Sequence, residues 1–66
     1  MRLTDFWQRL EQVFGPAYAK SIAHDHVLSQ LGGRTIEQAL AGGFETAKVW
    51  RAVVEAYPER VPARLR

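Results

Sequence analysis

Apolar positions recur along the chain with a helical period of about 100° per residue. In the first stretch Leu3, Phe6, Trp7, Leu10, Val13 and Phe14 share one side, while Asp5, Gln8, Arg9, Glu11 and Gln12 share the other. The spacing predicts a helix from about Asp5 to Phe14, with Thr4 as N-cap and Asp5 against the positive end of the helix dipole. Gly15 stops it, and Pro16 suits the first position of a second helix, where an amide hydrogen has no partner to lose. Tyr18, Ala19, Ile22, Ala23, Val27 and Leu31 keep the period, with Leu28 at the margin, so the second helix is expected to run to about Leu31 and to close at Gly32.

Thr35-Ile36-Glu37-Gln38 has the form of a capping box, which predicts a short third helix ending near Ala41 before Gly42-Gly43. The fourth helix is expected over Glu45 to Tyr57, with Val49, Trp50, Val53, Val54 and Tyr57 on its apolar side and Lys48, Arg51 and Glu55 opposite; Pro58 ends it. The pattern therefore predicts an all-α fold: a compact four-helix single domain of crossed short helices over residues 1–57, followed by a flexible Pro/Arg tail over residues 58–66. The expected core is Phe6, Leu10, Phe14, Ile22, Val27, Leu31, Leu40, Val49, Trp50 and Val53.

Length sharpens this picture. A chain of 66 residues buries only about 60% of the surface it exposes when unfolded. With no cysteine to cross-link it, the core rests on a composition that is 47% hydrophobic and includes seven aromatic side chains. No apolar run reaches the roughly 20 residues of a membrane span, and Arg2 is followed at once by acidic and polar groups, unlike a signal peptide. The absence of cysteine suits a reducing compartment. These features lead to the expectation of a soluble cytoplasmic protein with no membrane partner.

Charge is uneven. Up to Tyr57 the basic Arg2, Arg9, Lys20, Arg34, Lys48 and Arg51 are matched by Asp5, Glu11, Asp25, Glu37, Glu45 and Glu55, whereas the tail sets Arg60, Arg64 and Arg66 against Glu59 alone. A nucleic-acid binder usually carries its excess on the folded body. The balanced body points away from that class and makes the tail arginines candidates for contact with another protein.

Several segments together resemble a known family: Met1-Arg2-Leu3-Thr4-Asp5-Phe6-Trp7, Phe14-Gly15-Pro16-Ala17-Tyr18, Asp25-His26-Val27-Leu28, Leu31-Gly32-Gly33-Arg34-Thr35 and Val49-Trp50-Arg51-Ala52-Val53. In order and spacing they are similar to the small actinobacterial domain-of-unknown-function family 3046. The resemblance implies a small cytosolic bacterial protein whose gene often stands beside recombination and repair genes. It brings no catalytic residues, and none are carried over.

Trp7 and Trp50 sit near the edges of their apolar faces, so either can serve as a docking anchor or belong to the core. Ala39, Gly43 and Val49 have the spacing of a helix-turn-helix motif, with Lys48 and Arg51 directed outward from its second helix; this makes DNA binding the alternative function. Gln38 and Gly42 stand where that motif usually places core residues, and Glu45 and Glu55 offset the two cations. Gly33-Arg34-Thr35 precedes a helix N-terminus and is a candidate anion contact, although helix stop plus cap explains it too. His24 and His26, two residues apart on a helix, point away from each other and cannot hold one metal ion together. His26 is expected half-buried and hydrogen-bonded, and His24 exposed. No pair of carboxylates or nucleophile-base pattern suggests an active site. The sequence thus reads as a non-enzymatic protein-interaction or regulatory module without cofactor or metal, using the arginine tail or an edge tryptophan. A small oligomerising subunit is a further possibility.

Overall fold

A computed structural model describes residues 1–66. Helix α1 spans Leu3–Phe14 and α2 spans Pro16–Asp25. Strand β1 (Val27–Leu28), a 3-10 turn (Ser29–Leu31) and strand β2 (Arg34–Thr35) follow. Helices α3 (Ile36–Ala41) and α4 (Thr46–Ala56) come next, and a second 3-10 turn (Ala63–Leu65) ends the chain.

Helix α1 starts earlier than Thr4 allows. Arg2 is the extended N-cap, and its carbonyl accepts the Phe6 amide at 3.0 Å, which places Thr4 inside the first turn instead of at the cap. Gly15 then serves two helices. With φ +86° it turns the chain, its amide closes α1 on the Glu11 carbonyl, and its own carbonyl accepts the Ala19 amide of α2. Few residues but glycine hold that φ without strain.

The second helix does not reach Leu31. It ends at Asp25, and His26 is extended at φ −91°, ψ 120°. The next residues pair antiparallel with β2, Val27 opposite Thr35 and Leu28 opposite Arg34, so the fold is mostly helical but not all-α. Gly32 and Gly33, both with positive φ, turn the chain back, and the Gly33 amide donates to the Leu28 carbonyl. The break changes which side chain faces in: Val27, an expected core residue, is 62% exposed, whereas Leu28 is buried.

The predicted capping box is present in full. The Gln38 amide donates to Thr35 Oγ1 at 3.1 Å, and the Thr35 amide donates to Gln38 Oε1 at 3.0 Å. Ile36 and Ala39 bring the core face of α3 inward, leaving Leu40 half-buried.

The C-terminal segment is folded back on the domain, contrary to the flexible tail expected from its prolines and arginines. Amides of Arg60 and Val61 close a turn on the Tyr57 carbonyl. Val61 and Leu65 then enter the core beside Phe6, Leu10, Ile22, Leu31, Ile36, Val49 and Val53. The physical reason is the shortage of apolar surface in so small a chain: two more aliphatic groups add about 1.5–3 kcal/mol each when buried. The indole N–H of Trp50 donates to the Leu65 carbonyl at 2.7 Å, and at the other end of the chain the Thr46 hydroxyl donates to the Met1 carbonyl. Both ends are therefore fastened to α4.

Candidate functional site

Helix α1 carries Trp7 next to Phe6, so one residue lies in the core and the next at its border. The Phe6 ring meets Trp7 edge-on at 5.5 Å and Trp50 edge-on at 5.8 Å. The two tryptophans then part. Trp50 is only 2% exposed, covered by Phe6, by the Leu65 carbonyl and by Arg9, whose guanidinium lies 6.0 Å from its ring. It is a core residue and not a docking anchor. Trp7 remains half-buried.

Trp7 lines a groove of about 630 Å³ with Glu11 of α1, Ala19, Lys20 and His24 of α2, and Glu37 of α3. Helical spacing puts Glu11 one turn beyond Trp7 and His24 one turn beyond Lys20. One end is closed by a link between α2 and α3, where His24 Nδ1 lies 3.1 Å from Glu37 Oε1. The hydrogen bond to Glu37, its negative charge and that of Asp25 raise the His24 pKa above its ordinary 6.5. His24 is exposed, as its place on α2 suggested. No tail residue lines this groove, so tryptophan and tail do not form one surface. The pairs Trp7/Glu11 and Lys20/His24 at i,i+4 were the available sequence signal for the groove; the helix pairing that joins them was not.

The tail arginines have separate roles. Arg66 donates from Nε to the Val61 carbonyl and from Nη2 to the Pro58 carbonyl, which makes it a staple of the tail. Arg60 lies over the Phe14 ring at 5.1 Å, and Arg64 projects into solvent beside buried Leu65. His26 is exposed, not half-buried, because α2 ends before it; its Nδ1 shares a 3.1 Å hydrogen bond with the Tyr57 hydroxyl. Burial and the neighbouring Tyr18 hydroxyl raise the Tyr57 pKa above its ordinary 10.0.

The anion contact expected at Gly33, Arg34 and Thr35 is not built as drawn. The capping box uses the Thr35 hydroxyl and amide and the Gln38 amide, and the Gly33 amide is taken by Leu28. Arg34 instead turns back, donating from Nη1 to the Leu31 carbonyl at 3.0 Å and lying over Phe44 at 5.4 Å. Lys48 reaches the same ring at 5.6 Å. Phe44 is half-buried, and both cations lie against its ring.

Ala39 and Val49 are fully buried on either side of Gly43, whose φ is +90°. The outer side of α4 holds Lys48, Arg51 and Glu55, beside Gln30 of the first 3-10 turn. The start of α4 is engaged at Thr46 by Met1, and Trp50 and Val53 are in the core. Nowhere do three or more His, Asp or Glu side chains converge in a metal-binding cluster. No helix is long and apolar enough to cross a membrane.

No curated protein and no solved structure matches this chain. The family model described as "Protein of unknown function (DUF3046)" matches residues 1–64, the C-terminal segment included, and the chain belongs to that family.

Proposed function

We propose that this chain is a non-enzymatic protein-interaction module that docks a segment of a partner protein in the Trp7 groove. The observation that carries this reading is the half-buried indole on the wall of a concavity of about 630 Å³. That volume falls within the roughly 300–1,000 Å³ of small binding sites, and tryptophan is enriched among residues that dominate binding energy. Trp7 offers apolar contact for one large side chain of the partner, with buried Ala19 beneath the floor. Glu11, Lys20 and the His24–Glu37 pair offer both signs of charge around it. A mixed rim suits an amphipathic peptide segment with flanking charges better than a uniformly anionic polymer. A cytoplasmic setting, with no membrane anchor and no cofactor, is part of this reading.

The test is native affinity capture with nuclease treatment, comparing wild type, Trp7→Ala and the exposed rim variant Glu11→Arg. A partner that survives nuclease and is lost from Trp7→Ala supports the reading. A hot-spot tryptophan accounts for about 2 kcal/mol or more, a roughly thirtyfold weakening. Glu11→Arg keeps the fold and should also weaken capture. Undiminished capture by both variants, or capture abolished by nuclease, overturns it.

One observation favours a second reading, DNA binding through α3 and α4: the buried Ala39 and Val49 around left-handed Gly43. It requires salt-sensitive duplex binding that Lys48→Ala or Arg51→Ala weakens. No binding at low salt removes it.

A further inference from the structure

We propose that Arg34 and Lys48, gathered on the Phe44 ring, form a binding site for a phosphate group. This rests on neither reading above, since the Trp7 groove lies among α1, α2 and α3, and a phosphate site needs no DNA duplex.

The site is assembled from three separate parts of the chain. Arg34 belongs to β2, Phe44 to the turn after α3, and Lys48 to the first turns of α4. The Arg34 guanidinium is held in place on three sides. Its Nη1 donates to the Leu31 carbonyl at 3.0 Å, its Cζ lies 5.4 Å from the centre of the Phe44 ring, and Nη1 sits against Gly32. A Cβ on Gly32 would stand 2.7 Å from Nη1, so the glycine that turns the chain also makes room for the cation. Only one of the five guanidinium donors is used this way, and the rest are free for an acceptor. Lys48 lies 5.6 Å from the same ring and is exposed.

Neither cation is neutralised by a carboxylate. The ion pairs of the molecule both involve His24, on another face. Glu45 lines the same hollow as Lys48 and Phe44, and Glu55 shares the adjoining hollow with Lys48 and Arg51, but neither approaches a cation within ion-pair distance. Two cations beside one aromatic ring, Arg34 anchored and Lys48 free to swing, offer donors to an oxyanion with several acceptor oxygens. Arginine supplies the directed donors and lysine a mobile point charge. A single carboxylate fills this arrangement less completely than phosphate does.

The experiment is a titration followed by proton–nitrogen NMR, reading the Arg Nε–H signals and the amides of residues 32–34 and 43–48. One arm uses inorganic phosphate and the other a duplex oligonucleotide, each against sodium chloride at equal ionic strength. Phosphate is expected to move the Arg34 Nε–H and the signals around Lys48 while leaving Arg60 and Arg64 in place. The exposed substitution Lys48→Gln is expected to weaken that binding about tenfold, the loss of one charge-assisted contact. Saturation by phosphate identifies a free phosphate ligand. A response to the duplex that is stronger and depends on Lys48 identifies a phosphodiester. Shifts that sodium chloride reproduces, that Lys48→Gln leaves unchanged, or that are equal at Arg60 and Arg64 overturn the proposal.

Discussion

Removing Pro62–Arg66 separates a decorative tail from a structural one. The deletion takes Leu65, only 8% exposed, out of the core and leaves the Trp50 indole N–H without its acceptor. Loss of a buried leucine at a chain end, where neighbours can partly collapse, lies near the low end of the usual range, about 2 kcal/mol. An orphaned buried donor adds about 1–3 kcal/mol. The expected total is about 3–5 kcal/mol, against a whole-domain stability of about 3–10 kcal/mol for a chain of this length. The shortened chain should lose at least about a third of its stability. Urea unfolding followed by tryptophan fluorescence reads this as a large fall in midpoint, with Trp50 emission shifted toward the solvent-exposed value before the transition. Val61→Ala, a milder perturbation that removes two buried methyl groups, should cost about 1.5 kcal/mol. In a domain this small that lowers Tm by roughly 6–12 °C. If the deletion leaves the urea midpoint within the scatter of a surface change, about 0.5 kcal/mol, then Leu65 contributes no core and the reasoning fails.

Thr35→Ala should destabilise the domain by about 1 kcal/mol through loss of the side-chain half of the capping box, measured by thermal unfolding; an unchanged Tm would show that water replaces the hydroxyl without cost. The His24–Glu37 link makes a pH-dependent contribution with a definite sign. Because the folded pKa of His24 is raised, its stabilisation is complete below the ordinary 6.5 while Glu37 stays ionised, and it is lost as pH rises through the folded value. Comparing wild type with Glu37→Gln across that range should show a wild-type advantage below 6.5 that vanishes above the folded pKa and shrinks in high salt; an advantage that instead grows with pH contradicts the assignment. Tyr57 behaves with the same sign at the alkaline end. Burial raises its pKa, so stability falls as pH climbs past its ordinary 10.0, which absorbance of the ionised phenol can follow alongside unfolding.

The legible parts of the fold were those that neighbouring residues determine. The apolar stripe of α1, the Gly15-Pro16 junction, the Thr35/Gln38 box and the Val49-Trp50-Val53 face all depend on contacts within about four residues, and each was readable in the sequence. Residues 26–35 were misread because Val27 and Leu31 continue the helical period of Ile22 and Ala23. A pair of two-residue strands has no period of its own to compete with that signal. What breaks the helix is the tertiary pairing of Leu28 with Arg34, made possible by two glycines at positive φ. The C-terminal segment was misread for the opposite reason. Three arginines and two prolines dominate its composition, while the two residues that matter, Val61 and Leu65, stand four apart on either side of Pro62, without a regular helix to announce them. Of the candidate sites, Trp7 was legible as an edge residue. Its groove depended on how α1, α2 and α3 meet, and the gathering of Arg34 and Lys48 on Phe44 depended on the return of β2.

The attachments of Met1 to Thr46 and of Leu65 to Trp50 bring the first and last turns of the sequence to neighbouring rungs of one helix, about 6 Å apart along its axis. A covalent bridge of a few residues joining them should close the molecule into a ring with little extra loop entropy.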